Sequence, residues 1–275
     1  MSTSTGTGEL PRTRSTSGFW AKLSAWRTHS SFTVFLSLFA GFALWEVAAQ
    51  FIVRDKLFLV APTAILVRTN ELWQQGELQK HLVTSGVEFF AGFGAAAIVG
   101  ILIGLVLATN RPVRTAMTPW VNAIYSTPLI ALAPLFILWF GLGLFSKVVV
   151  VFLVAVFPVL VNTQAGVEST DEGLIETARA FNASQRQIFT KVLLPAAVPF
   201  IVAGLRLGIG RGLVGVVVAE LFGARAGLGY LITVSSQIFD MGALFAATLI
   251  LAAAGMVSTE LIRVVERRIA PWRYV

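Results

Sequence analysis

Residues 89–110 read FFAGFGAAAIVGILIGLVLATN, a run of apolar and small residues without Asp, Glu, Lys or Arg. A second uncharged run covers residues 241–259, and Lys147 is the only charge between Arg114 and Glu168. A helix needs about 20 mostly apolar residues to cross a bilayer, whose core offers no water to backbone amides. These runs therefore predict membrane-spanning helices, because the strands of a membrane barrel would alternate polar and apolar residues.

The composition of the 275-residue chain agrees with this interpretation. Charged residues make up 13% of the chain and hydrophobic residues 56%, whereas an average soluble domain has about 25% charged residues. A net charge of +7 would suggest nucleic acid if the protein were soluble. Here the basic residues flank apolar spans, where they set topology and meet anionic lipid headgroups. We therefore expect the lipid bilayer, and no nucleic acid, as a partner.

The sequence contains little from which a catalytic or metal site could be built. It has no Cys, and its two His residues, His29 and His81, are far apart. It has no G-x-x-x-x-G-K-[ST] phosphate loop. The glycines Gly208, Gly210 and Gly212 lie in an apolar run, where small residues indicate close helix packing. We predict no catalytic residues and no metal site.

We predict an all-α, polytopic membrane protein with six transmembrane helices. Residues 1–30 are rich in Ser and Thr and predict a disordered cytoplasmic tail, followed by a transmembrane domain at 31–275. Pro128 and Pro134 should bend the third span, and Gly141-Leu142-Gly143 should separate it from the fourth. In chain order, the predicted spans are 31–53, 84–108, 119–140, 148–163, 195–222 and 241–262.

The distribution of Lys and Arg predicts the orientation. Six spans place both termini on one side, together with residues 109–118 and 164–194. That side carries about twice as many Lys and Arg residues as the other, and cytoplasmic segments are enriched in them. We therefore predict that both termini are cytoplasmic. On the outer side, the stretch 64–73 predicts a short amphipathic surface helix whose apolar side carries Ile65, Leu66, Leu72 and Trp73.

The loop at 164–194 contains the stretch DEGLIETARAFNAS at 171–184. Asp171 and Glu172 suit a helix start, and Asn182 tolerates the left-handed conformation that ends helices. Ser184 can cap a second helix at 185–193 that continues into the membrane. The first helix is short and amphipathic and lies outside the bilayer, which suits insertion into a groove on a partner protein. Its apolar face consists of Leu174, Ile175, Ala178 and Phe181.

This loop resembles a signature of the permeases of binding-protein-dependent ABC importers. The signature reads Glu-Ala-Ala, three residues, Gly, nine residues and Ile-x-Leu-Pro. The corresponding residues are Glu176-Thr177-Ala178, Asn182 and Val192-Leu193-Leu194-Pro195. Thr177 and Asn182 depart from the family pattern. The resemblance covers about residues 31–270. The stretches that resemble the nitrate/sulfonate/taurine branch of this family are residues 126–143, 204–206, 219–220 and 227–230.

The resemblance implies the type I ABC importer permease fold and a place in the bacterial inner membrane. Such a permease is not an enzyme; it forms the translocation pathway for a small solute, here an anion of the sulfonate, taurine or nitrate kind. Two permease copies would alternate access, driven by a dimer of cytoplasmic ATPase subunits that hold ATP and Mg, and an external solute-binding protein would deliver the solute. The loop helix would be the ATPase-coupling helix, with Glu176, Thr177, Ala178, Phe181, Asn182 and Ala183 at the interface.

Arg206 and Arg211 are the first candidates for the translocation pathway. An ionisable side chain inside a span is costly unless it faces protein or water, so one of the two arginines could attract an anionic substrate. The alternative is that they pair with a carboxylate within the membrane, for which the sequence offers Glu46, Glu88 and Glu220, or with backbone carbonyls near the inner boundary.

Three further residues are pathway candidates. Glu220 lies near the outer end of the fifth span, where it could gate, pair with Arg225 or reach the headgroups. Ser126 and Thr127 precede Pro128, which loosens the helix, so they could line a pore. Alternatively, their hydroxyls bond their own backbone, as is common in membrane helices.

Two other functional classes compete with an importer permease. A secondary transporter would usually show inverted repeats or paired broken helices, and the sequence shows neither. An integral-membrane enzyme would need a cluster of polar side chains, which two distant His and no Cys do not supply.

Overall fold

The structure is a computed structural model that describes residues 33–53, 55 and 57–269. These residues form helices and turns, with no strand among them. The tail expected at 1–30 lies outside the described residues. The chain divides into two compact units, residues 1–62 and 63–275. The first unit contains one long apolar helix, α1 (Thr33–Val53), whose last turns from Ala48 onward are π-helical.

The second unit contains the remaining helices. In chain order they are α2 (Pro62–Gln74), α3 (Glu77–Thr109), α4 (Arg111–Ser126), α5 (Ala133–Phe140), α6 (Leu144–Glu168), α7 (Glu172–Ala180), α8 (Gln185–Ile188), α9 (Leu194–Gly223), α10 (Leu228–Gln237) and α11 (Met241–Ile269).

Six membrane spans are present in the described residues, as predicted. Five helices are long and apolar enough to cross a bilayer, and α8 joins α9 through a π-helical turn to make one of them. The third span in chain order completes the six and is a bent pair, α4 followed by residues 129–140, with an angle of 73° between its halves. The chain is therefore a multi-pass membrane protein.

The third span is broken and starts earlier than predicted. Thr127 has an extended backbone with ψ 136°, because a residue before proline disfavours the helical region. Pro134 does not bend the span as expected. It lies in the first turn of α5, where the backbone N–H groups have no acceptor within the helix, so a proline costs no hydrogen bond there. The turn at 141–143 forms as predicted, with Gly141 at φ +79°.

The centre of the second unit is α6, which packs between α3 and α9. Most of α6 is buried, 61% over its most apolar 18 residues. Small residues allow the close approach: a Cβ added to Gly104 would lie 2.7 Å from the Leu160 carbonyl oxygen, and one at Gly204 would lie 3.0 Å from the Pro158 carbonyl oxygen. Such backbone proximity is the packing mode that small residues permit in membrane helices.

Two elements between the spans differ from the prediction. The helix expected at 64–73 forms as α2, but its apolar side was assigned partly wrongly. Ile65 and Leu72 are buried, whereas Leu66 and Trp73 are 70% and 53% exposed, because adjacent positions on a helix point about 100° apart. The Gly-rich loop after the fifth span contains a helix that was not predicted, α10.

Candidate functional site

The loop helix α7 is held by local interactions that the sequence predicts. The Asp171 carboxylate accepts a hydrogen bond from the backbone N–H of Gly173 at 2.8 Å and caps its start. Asn182 ends the segment with a left-handed backbone, φ +54°. The Thr177 hydroxyl donates to the Gly173 carbonyl oxygen at 2.7 Å. The hydroxyl that Thr177 adds where the family signature has Ala is therefore hydrogen-bonded within α7 itself.

The segment that follows returns the chain to the membrane. Ser184 and Gln187 form a capping box: each accepts a hydrogen bond from the other's backbone N–H, at 3.3 and 2.8 Å. The helix then continues through residues 189–193 into α9. The helix predicted at 185–193 is therefore present, and it joins α7 to the fifth span.

No residue of α7 is buried within the described structure. Leu174 and Phe181 are 55% and 84% exposed. The six predicted coupling residues are all at the surface, with Ala178 and Ala183 partly covered and the other four exposed. The structure thus presents an exposed amphipathic helix between the fourth and fifth spans, with an exposed Phe at its C-terminal end.

Two of the predicted pathway residues meet at the break in the third span. Arg211 and Thr127 line a cavity of about 190 Å³ together with Tyr125 and Pro128. The Arg211 guanidinium lies over the Tyr125 ring, 5.6 Å from its centroid. The Thr127 hydroxyl donates to the Ala123 carbonyl oxygen at 2.9 Å. This is the alternative in which the hydroxyl bonds the backbone of its own helix.

Arg211 is an exposed cation within a membrane span. Residues 212–223 continue α9 for roughly 18 Å beyond it. It makes no ion pair with any carboxylate that the structure describes. Ser126 is also exposed, but it does not line the cavity. The face that carries Arg211 therefore contains a charge without a counter-ion among the described residues.

Arg206 pairs with a carboxylate that the sequence did not suggest. Its guanidinium donates to Glu266 at 2.9 Å, and Glu266 is 3% exposed. The expected partners Glu46, Glu88 and Glu220 are wrong for this arginine, because α11 runs to Ile269, beyond the span end predicted at 262. The extra turns carry Glu266 to α9.

Glu220 is buried and binds the start of α10. Its carboxylate accepts from the Ser85 hydroxyl and from the backbone N–H of Gly229, both at 2.6 Å. Ser85 in turn accepts from the backbone N–H of Leu228 at 2.8 Å, and His81 Nδ1 accepts from that of Gly227 at 2.9 Å. Three successive backbone donors at the N-terminus of α10 are thus satisfied by side chains. The alternative partner Arg225 is exposed and does not take part.

A buried ion pair lies beside this capping arrangement. The Lys147 ammonium donates to Glu88 at 2.8 Å, and the two side chains are 7% and 1% exposed. Glu88, which the sequence offered as a partner for an arginine, pairs with a lysine of α6 instead. Lys147 was assigned to an outer loop, but it lies in the first turn of α6. The Glu46 carboxylate accepts a hydrogen bond from Gln50 of the same helix.

Sequence reasoning missed Tyr125, Glu266 and Lys147 as parts of these arrangements. A signal for Lys147 existed, because a lone cation between long apolar runs needs a buried partner. Glu266 lies four residues after the predicted span end at 262, about one helical turn further along α11. Tyr125 carried no signal, since only the break at Pro128 brings its ring beneath Arg211.

Comparisons with known proteins agree with this architecture. Residues 96–271 match the family described as binding-protein-dependent transport system inner membrane component. The chain is 36% identical over 231 residues to a protein of Bacillus subtilis (strain 168) named as an aliphatic sulfonates transport permease, SsuC, covering 84% of each. It is 29% identical to the taurine transport system permease protein TauC of Escherichia coli (strain K12), covering 83% of this chain and 85% of TauC.

A solved structure shows the same fold. A chain of the MetNI methionine ABC transporter, in an inward-facing conformation, aligns with a TM-score of 0.59 at 22% identity. The alignment covers 72% of this chain and 96% of that one. The fold of the aligned part is therefore shared with a chain of a transporter of known structure.

Proposed function

Since the chain belongs to the binding-protein-dependent transport system inner membrane components and is thus an ABC importer permease, we propose that it imports a small anion. The solute would be of the class named for its relatives, an aliphatic sulfonate or taurine. Two copies of the chain would form the pathway and two cytoplasmic ATPase subunits would drive it. An external solute-binding protein would deliver the solute.

The observation that carries this proposal is Arg211, which lies in the fifth span beside the break in the third and has no ion-pair partner among the described residues. A guanidinium so far within a span cannot face lipid without a large cost in free energy. The cavity beside it offers a cation, an aromatic face and apolar walls from Leu129 and Val154. A sulfonate head with a short carbon body matches that combination, because guanidinium binds anionic oxygens with charge-assisted hydrogen bonds.

The other pathway candidates take different roles in this proposal. Thr127 contributes to the wall of the same cavity. Arg206, neutralised by Glu266, holds α9 to α11. Glu220 holds the start of α10, and Ser126 stays a candidate for contact with solute outside the cavity.

A second copy of the permease would cover the exposed face of Arg211. The face also includes Tyr125 and Thr127, which are exposed in the single chain. A polar face at membrane depth is tolerated only against protein or a water-filled path. A homodimer with its pathway between the copies supplies both.

Energy coupling is assigned to α7. Helix-in-groove recognition uses an amphipathic helix with exposed apolar anchors, and α7 presents Leu174 and Phe181. ATP and Mg would bind on the ATPase partner. With this helix on the cytoplasmic side, both termini are cytoplasmic in the inner membrane.

The experiment reconstitutes the permease, its ATPase and its binding protein in proteoliposomes and measures ATP-driven uptake of labelled taurine or a short alkanesulfonate. We expect uptake to persist with an uncoupler, which separates ATP drive from an ion gradient. Arg211→Gln should lower uptake at least tenfold, while Arg211→Lys, which keeps the charge, should retain more. Unchanged uptake by Arg211→Gln would refute the assignment of this residue.

A matched variant tests whether the loss is specific. Arg206→Gln removes the same charge from the same helix but breaks the pair with Glu266. We expect it to lower the thermal stability of the purified complex more than the affinity for solute. If Arg206→Gln lowers affinity and Arg211→Gln does not, the two roles are reversed.

A further inference from the structure

A large cavity lies where several helices end on the side that carries α7. It has a volume of about 1040 Å³ and lies between the ends of α3 and α6, the start of α4, and the helices α7 and α8. Part of its wall is apolar: Val167 and Leu193 belong to the packing between α3, α6 and α9. The cavity thus joins the apolar interior of the helix bundle to a polar opening.

The polar opening is strongly basic. Its four arginines and two glutamates give a net charge of +2, since Arg111, Arg114, Arg179 and Arg186 face Glu168 and Glu172. Arg114 is bound to Glu168. The other three arginines form no ion pair with a carboxylate in the part of the chain that the structure describes. An anion in the cavity would therefore meet several unneutralised guanidinium groups.

A buried hydroxyl also lines the cavity. Thr170 is 8% exposed, and its Oγ1 has no hydrogen-bond partner among the described residues. The Thr170 oxygen is shielded from solvent, so rotation of this side chain toward the cavity would let the hydroxyl donate to a ligand oxygen and add a neutral donor to the cations.

We propose that this cavity binds an anionic phospholipid, with the phosphate at Arg111 and Arg186 and an acyl chain along the apolar wall. Phosphate groups suit guanidinium because its planar donors match their oxygens. Basic pockets between membrane helices on the cytoplasmic side bind such headgroups. A free phosphate would use the basic opening alone, whereas a lipid uses both the opening and the wall. The site is separate from Arg211 and does not depend on the solute.

The test is native mass spectrometry of the purified full chain in detergent with phosphatidylglycerol or phosphatidylcholine added. We expect phosphatidylglycerol to bind more tightly than phosphatidylcholine. Arg111→Gln/Arg186→Gln should weaken it about 30-fold, which corresponds to about 1 kcal/mol for each arginine. The control is Arg225→Gln/Arg263→Gln, which removes the same charge from exposed positions elsewhere and should leave binding unchanged.

Two further measurements complete the test. The first separates a bound lipid from free phosphate, and the second uses a variant that keeps all four arginines, in case the double variant misfolds. An excess of inorganic phosphate should displace no more phosphatidylglycerol than chloride of equal ionic strength; selective displacement would identify a free-phosphate site and overturn the proposal. Thr170→Val keeps all four arginines and should weaken phosphatidylglycerol binding by a few-fold. Equal binding by wild type, the arginine double variant and Thr170→Val would also overturn it.

Discussion

The buried pair of Lys147 and Glu88 gives a quantitative prediction. The two side chains are 7% and 1% exposed and lie 2.8 Å apart, and the second carboxylate oxygen of Glu88 has no partner among the described residues. Lys147→Met keeps the length of the side chain but leaves a buried carboxylate without its counter-ion. Breaking a buried pair in this way costs about 3–5 kcal/mol, so we expect a loss of that size in the free energy of unfolding.

The assay is unfolding by sodium dodecyl sulfate in mixed micelles, followed by the fluorescence of the seven tryptophans. Lys147→Met/Glu88→Met removes both charges and should recover at least about half of the loss, because replacing a whole buried pair with apolar side chains is often neutral. Arg263→Gln breaks an exposed pair with Glu260 and should change stability by less than about 1 kcal/mol. A loss below about 1 kcal/mol for Lys147→Met, or additive losses in the double variant, would refute the reasoning.

Three further outcomes follow from single positions. Gly227→Ala should lower the free energy of unfolding by about 1–3 kcal/mol, because φ +123° is strained for any side chain and a Cβ would overlap the Glu220 carboxylate. Asn182→Gly should leave ATPase stimulation by the permease nearly unchanged, whereas Asn182→Val should lower it, since φ +54° costs about 1–2 kcal/mol for other residues. Burial raises the pKa of Asp240, but hydrogen bonds from the Ala243 N–H and from Arg68 outweigh burial and lower the pKa. The ionised carboxylate therefore stabilises the protein at neutral pH, and this stabilisation is lost as the pH falls through the lowered pKa. Thermal melting measured across the acid range would show the loss.

Each of these outcomes has a matched control. Gly210→Ala alters a helical glycine with open space around its Cα and should not destabilise the protein; a loss equal to that of Gly227→Ala would remove the strain argument. Equal ATPase stimulation by Asn182→Gly and Asn182→Val would show that the left-handed turn is not required. Asp240→Asn should be less stable than wild type at neutral pH and should approach it in acid, and parallel melting profiles would contradict the role of the ion pair.

Local features were predictable from the sequence because their causes are local. Asp171, Asn182 and Ser184 each act on backbone groups within a few residues, so the bounds of α7 and the start of α8 could be anticipated. The six spans were likewise predictable, since a bilayer imposes a minimum apolar length on each helix. The break at Pro128 was expected as a bend, because the same proline is compatible with a kink or with a full interruption.

Contacts between distant residues were not predictable. Arg206 and Glu266 are separated by 60 positions, and Ser85 and Glu220 by 135. Which carboxylate meets which cation depends on how α3, α9 and α11 cross, and that is fixed by packing between small residues rather than by a local pattern. The helix α10 was missed for a related reason. Its N-terminus is stabilised by Glu220 and His81 from other helices, and no capping residue in its own sequence signals the start.

Site-specific cross-linking tests the central claim, that α7 joins the permease to its ATPase. The chain contains no Cys, so Phe181→Cys and Trp73→Cys each introduce a single reactive thiol at an exposed position. In membranes that contain the co-expressed ATPase, Phe181→Cys should cross-link to the ATPase subunit and Trp73→Cys, on the opposite side, should not. An assembled complex in which Phe181→Cys gives no cross-link to the ATPase, or in which Trp73→Cys gives one, would contradict the account.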